Sequence, residues 1–209
     1  MTIGLGNDHR GYRKKKRLMN YLRRHGYNVI DYGSYSTSRV DYIEYAHKVC
    51  DAVVNNEANL GILICYTGIG MSIAANKING IMCAKIDNDK EAELAKLHNN
   101  PNVLALSARK SFSEIKDMLD IFLYIKPLDS EVYKTRIDKI KLLEKEQANK
   151  LIELNKENIK KEIIKKPTKK PIKKENKKDT KKPDNTVKKT VNNKIKKSGT
   201  SSNKSKAVE

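Results

Sequence analysis

The chain has 209 residues and a formal net charge of +19, from 44 Lys and Arg against 25 Asp and Glu. The surplus is uneven: residues 1–150 stand at +6, whereas residues 151–209 hold 20 Lys, no Arg and 7 acids, or +13. This profile fits one domain with a single core, then a tail too poor in apolar groups to offset the entropy of ordering. It excludes a bilayer span, a disulfide framework and a zinc site, because apolar runs stop at about five residues and the three Cys are widely spaced.

In chain order, Ile3–Gly6 reads as a strand and Gly11–His25 as a helix with Leu18, Met19 and Leu22 at core spacing. Asn28–Asp31 is a second strand, and Tyr42–Val54 a helix with Ala46, Val49, Cys50 and Val53 on one face. Leu60–Cys65 is a nearly continuous apolar strand, followed by a Gly-rich turn and a helix over Met71–Ile78. Ile81–Ile86 is a strand, Asn88–His98 a helix with an acidic first turn, and Val103–Leu106 the fifth strand. Ser111–Tyr124 is the fifth helix, with Ser111 or Ser113 as N-cap. From Glu131 a long helix begins, with Tyr133, Ile137, Ile140, Leu143, Gln147, Leu151 and Leu154 stepping by three or four. That stripe reads either as a helix-pairing seam or as a helix docked on its own domain and fraying outward.

Five βα units at this spacing predict an α/β, Rossmann-like three-layer fold with a five-stranded parallel sheet. Ligands in such folds bind at the carboxyl ends of the strands. The expected organisation is a domain at 1–140, a helical extension at 141–166 and a Lys-rich, low-complexity, disordered tail at 167–209. The first residues, Met1-Thr2-Ile3-Gly4, have no basic-then-apolar leader, so a reducing, cytoplasmic setting without membrane contact is expected.

The segment GILICYTGIGMSIAANK at 61–77 carries the strongest chemical signal. A buried strand ends in Cys65; Thr67, Gly68 and Gly70 follow, then a small-residue helix. Glycines there let backbone N–H groups converge on an anion, and the helix start adds partial positive charge. A Cys at that junction favours the thiolate, which can accept a carbon-bound proton while the N–H cradle stabilises the oxyanion. The alternative for Cys65 is inert filling. The loop is not a dinucleotide fingerprint, because Ile73 stands at the third glycine position. Asp8 and His9 follow the first strand as a hydroxyl-binding group and an acid or base, or else Asp8 or Asn7 caps the first helix. His98 closes the fourth helix, either as a functional group or as a dipole partner. Arg109 and Arg136 are candidates for an anionic group, since Arg grips phosphate bidentately.

GNDHRGY at 6–12, DYIEYAHKV at 41–49, the 61–77 segment and HNNPNVLALSAR at 98–109 together resemble the ribose-5-phosphate isomerase B family, relatives of galactose-6-phosphate isomerase. The resemblance covers residues 2–140. It implies an aldose–ketose isomerase acting on a sugar phosphate without metal or cofactor, as a homodimer with sites at its interface or as a tetramer of such dimers. It also assigns roles. Cys65 matches the base that moves a proton between C1 and C2, Thr67 a hydroxyl beside the reacting oxygen, and Gly68 to Gly70 the anion hole. His98 matches the group that opens the furanose ring, Asp8 and His9 substrate contacts, Tyr42 a ring lining the sugar pocket and Asn99 a polar contact. Arg109 and Arg136 match phosphate-binding arginines.

The sequence departs from the family pattern at four places. Tyr66 replaces a usual Gly, and would carry strain if the position needs positive φ. Val132 and Tyr133 replace an Arg and a His, and Met82 replaces a frequent Arg. Two other readings stand beside the pentose-phosphate isomerase: an isomerase of a hexose 6-phosphate, and a polyanion or nucleic-acid binder on a weakened isomerase scaffold, reached through the Lys-rich tail.

Overall fold

The computed structural model describes residues 1–165, which form one compact unit. The tail expected at 167–209, and any polyanion contact through it, lie outside the described residues. Five strands, β1 (Thr2–Asn7), β2 (Asn28–Asp31), β3 (Leu60–Cys65), β4 (Cys83–Lys85) and β5 (Val103–Ser107), form one parallel sheet in the order β2-β1-β3-β5-β4. The chain leaves β1 towards β2 and returns to the far side of β1 at β3. The switch point, where ligands sit in such sheets, is therefore between β1 and β3.

All six residues of β3 are buried, as a central strand covered on both faces requires. Side-chain alternation divides the core. Ile3, Leu5, Ile62, Ile64, Leu104 and Leu106 face α1 (Tyr12–Arg24) and α5 (Phe112–Tyr124), with α4 (Asp89–Leu94) at their edge. Leu63, Cys65, Val103 and Ala105 face α2 (Tyr42–Val54) and α3 (Ile69–Ala75). On that second face the sheet is pared back. A Cβ at Gly6 or Gly61 would come within 2.7 Å of Val49, so both strands carry glycine where α2 lies closest.

Helix ends follow local chemistry. Ser111 and Glu114 form a reciprocal capping box at α5, and Asp41 and Asn88 accept backbone N–H groups at the starts of α2 and α4. The elements agree with the sequence reading in order and type, with three differences in extent. β4 has only three residues, because Met82 gives its N–H to the Asn102 side chain instead of a neighbouring strand. α3 starts two residues before the expected Met71, directly after Gly68, whose φ of +79° turns the chain at once into the helix. α4 ends as an α-helix at Leu94 and widens into a π-turn, Ala95–Asn99, closed by Asn100 at φ +43°. His98 therefore sits in a π-turn, a geometry frequent at functional positions.

The sixth helix, α6 (Glu131–Lys165), begins where expected and runs 35 residues. The segment before it and its first half lie along the chain: Leu128 N–H donates to Leu97 O at 3.0 Å, and Gly80 N–H to Glu144 Oε1 at 2.7 Å. Beyond Glu144 its apolar side chains Leu151, Ile152 and Leu154 are exposed. No helix among the described residues is long and apolar enough to cross a membrane.

One charge lies inside this core. Lys15, on α1, is fully buried; its ammonium pairs with Asp31 and donates to Ser34 O at 2.9 Å. Asp31 Oδ1 also accepts the Gly33 N–H at 3.0 Å, so the pair fixes the loop that leaves β2 beside β1. Burial lowers the Lys15 pKa below the usual lysine value, more than Asp31 raises it. The unfolded chain therefore holds this proton more tightly than the folded one. The group opposes folding below its folded pKa, and the penalty fades as pH rises from there towards the ordinary lysine value. Asp31→Ala, which strands the ammonium, is expected to cost about 3 kcal/mol or more in urea unfolding at pH 7. In Lys15→Met the local pH dependence should disappear from the stability curve.

Candidate active site

At the carboxyl edge of the sheet, β3 ends in Cys65 and turns through Tyr66 and Thr67 into Gly68. The Gly68 N–H donates to Cys65 Sγ at 3.2 Å, and the Ile69 N–H to Thr67 Oγ1 at 3.3 Å. Only a residue free to adopt positive φ fits at Gly68, where a Cβ would also approach the Leu106 carbonyl carbon to 3.2 Å. Gly70 has a different reason: a Cβ there would lie 2.9 Å from Tyr42 Cζ, so the glycine lets the Tyr42 ring lie against the start of α3. The sulfur is thus held under a backbone N–H at a helix start, an arrangement complementary to negative charge.

Beside it, β1 delivers Asp8 and His9. Asp8 Oδ1 accepts the N–H groups of Arg10 at 2.8 Å and Gly11 at 2.9 Å, so this carboxylate closes the turn into α1 from three residues ahead of the N-cap Gly11 instead of capping the helix itself. His9 Nδ1 is buried and has no hydrogen-bond partner among the described residues. On the other side, β5 ends in Ser107, whose hydroxyl donates to Tyr66 O at 2.9 Å and accepts the Arg109 N–H at 3.2 Å. Tyr66 has no positive φ, so the strain anticipated for a side chain there is not present.

The structure separates the remaining candidates from this group. His98 and Asn99 precede β5, whereas Cys65 follows β3 and pairs with the last residue of β5. The four steps of β5 alone span about 13 Å. At this amino edge the His98 ring stacks on Tyr133 of α6, with centroids 4.3 Å apart and planes 10° from parallel. The Arg136 guanidinium lies 5.8 Å from the same Tyr133 ring. A groove of about 1180 Å³ opens there between α6, the segment after α3 and Asn99–Asn102; Cys65 does not line it. The carboxyl edge thus holds Asp8, His9, Tyr42, Cys65, Thr67, Gly68, Gly70 and Arg109, and the amino edge holds His98, Asn99 and Arg136.

Three contributors escaped the sequence reading. Ser107 signalled itself only as a hydroxyl at a strand end. Tyr133 looked like a lost histidine, and Arg10 like one more cation in a basic run.

Comparison with known proteins matches residues 3–140 to the ribose/galactose isomerase family. Ribose-5-phosphate isomerase B of Escherichia coli is 42% identical over 117 residues, covering 56% of this chain and 78% of that protein. The structure of ribose-5-phosphate isomerase B of Clostridium thermocellum superposes with a TM-score of 0.68 at 39% identity, covering 70% of this chain and 99% of that one. The enzyme of the same name from Mycoplasma genitalium, solved with bound ribulose 5-phosphate, gives 0.66 at 40% identity, covering 69% and 97%.

Burial pushes the thiols of both Cys50 and Cys83 up to about 12. Iodoacetamide at pH 8 should therefore leave Cys50 and Cys83 unmodified in the folded protein, as read by peptide mass spectrometry. Gly68→Ala should destabilise the fold by about 1–2 kcal/mol through positive φ alone, measured by chemical denaturation.

Proposed function

The chain belongs to the ribose/galactose isomerase family, and we propose that it interconverts ribose 5-phosphate and ribulose 5-phosphate through an enediolate, with Cys65 as the base. The observation that carries this reading is the Cys65 sulfur at the β3 carboxyl end, under the Gly68 N–H and beside Thr67. It is supported by the relatives named for that activity and by the ribulose 5-phosphate bound in the Mycoplasma genitalium enzyme.

In the open aldose, the hydrogen on C2 is acidified only by the neighbouring carbonyl. The Cys65 thiolate takes that proton, and the electron pair moves onto O1 as the enediolate. The proton returns to C1 while the O2 hydroxyl proton transfers to O1, which leaves the ketone at C2. The barrier falls chiefly through stabilisation of the enediolate oxygen, the task of the N–H groups at Gly68–Gly70 and of the Thr67 hydroxyl; one such donor is worth about 10²–10³ in rate. Asp8 and His9 contact the sugar, and the buried His9 Nδ1, without a partner among the described residues, is open to a hydrogen bond with the substrate. Tyr42 lines the sugar pocket, and Asn99 adds a polar contact. Arg109 and Arg136 hold the phosphate, and His98 opens the furanose ring.

This assignment requires two copies. His98, Asn99 and Arg136 occupy the opposite edge of the sheet from Cys65 within one chain, so one copy supplies the base and Arg109 and a second supplies the ring-opening His98, Asn99 and Arg136. A symmetric dimer then carries two such shared sites.

Purified protein should isomerise ribose 5-phosphate in the presence of a chelator, and Cys65→Ala should abolish turnover; a fully active Cys65→Ala would refute the base. Cys65→Ala and His98→Ala, each inactive alone, should regain activity when unfolded and refolded together. A random mixture has about a quarter of its sites intact. If mixing restores nothing, the shared site is wrong.

A further inference from the structure

Two arginines from the turns that follow β1 and β5 converge on one aromatic ring beside Cys65. The Arg10 guanidinium carbon lies 5.7 Å from the Tyr66 ring centroid, and that of Arg109 lies 5.8 Å from it. The two cations are therefore no more than about 11.5 Å apart. Their backbones are tied into one small network. Arg10 N–H is held by Asp8 Oδ1, Arg109 N–H by Ser107 Oγ, and the Ser107 hydroxyl is bonded to Tyr66 O. Their side chains are not tied: among the described residues neither guanidinium pairs with a carboxylate or donates a hydrogen bond. Asp8, the nearest acid along the chain, has Oδ1 committed to backbone N–H groups. Two like charges gain nothing from proximity. What such a pair gains from is an anion between them, gripped by planar forks whose geometry matches phosphate oxygens. The Tyr66 ring, about half exposed, lies within cation–π range of both guanidinium groups and neutralises neither.

We propose that Arg10 is a phosphate-binding residue of the sugar-phosphate site, and that Tyr66 is a positioning residue that presents Arg10 and Arg109 as a pair to the phosphate. The proposal rests on the isomerase reading above and adds two residues to it. Tyr66 directly follows the base, so one short segment sets both the place of the reacting carbons and the place of the phosphate at the other end of the sugar. That coupling makes the clamp a gauge of substrate length.

The test uses the full chain and two independent readouts: calorimetric titration with inorganic phosphate, which needs no turnover, and steady-state kinetics with ribose 5-phosphate. Arg10→Gln is expected to weaken phosphate binding about tenfold or more, and to raise KM by a larger factor than it lowers kcat. Arg10→Glu should weaken it further. Tyr66→Ala should shift binding in the same direction, and Tyr66→Phe, which keeps the ring face, should recover it to within about twofold. Unchanged phosphate affinity in Arg10→Gln and Arg10→Glu overturns the assignment of Arg10, and unchanged affinity in Tyr66→Ala overturns the role of Tyr66. Phosphate binding that depends on Arg10 in a protein with no isomerase activity would leave the clamp standing and remove the isomerase reading.

Discussion

A parallel sheet linked by helical crossovers sends every strand out at one edge and every helix back to the other. That constraint governs this molecule. Residues that follow strands gather at the carboxyl edge, and residues that precede strands gather some 13 Å or more away at the amino edge. Cys65, His9 and Arg109 are of the first kind; His98 and Arg136, which stands on α6 against the π-turn, are of the second. No rearrangement of side chains alone brings the groups together, because β5 itself stands between them. Chemistry that uses both sets has to be completed by another polypeptide.

Most of the fold is visible in the amino acids. The run Gly61 to Cys65 is apolar at every position, which only a strand covered on both faces requires, and it is buried throughout. Ser111 and Glu114 stand at capping-box spacing and make that box. The carboxyl-edge site is equally legible, because a strand end followed by Thr67-Gly68-Ile69-Gly70 has few uses other than turning sharply into a helix. Two features are hidden for physical reasons. Lys15 lies in the run Lys14-Lys15-Lys16-Arg17, and nothing local marks which lysine turns inward; its partner Asp31 comes from a separate strand. The π-turn at Ala95–Asn99 depends on one extra residue per turn, a change that helical periodicity is too coarse to register.

The departures from the family pattern are absorbed locally. Tyr66 adopts ordinary backbone geometry, with its half-exposed ring within 6 Å of two guanidinium groups. Tyr133, where a histidine is usual, lays its ring flat on the His98 imidazole. Both positions exchange a small or polar group for an aromatic face, and both faces border residues assigned to substrate. Val132, in place of an arginine, is exposed and touches no member of either cluster in the contacts described.

The length of β5 has one more consequence. With the proposed base at one end of the strand and the proposed ring-opening histidine at the other, the shared-site reading makes catalysis second order in polypeptide once the enzyme is dilute enough to dissociate. On that reading, specific activity falls as concentration falls. A cell that made too little of this protein would lose flux more steeply than it lost enzyme, and would recover it just as steeply on modest overproduction.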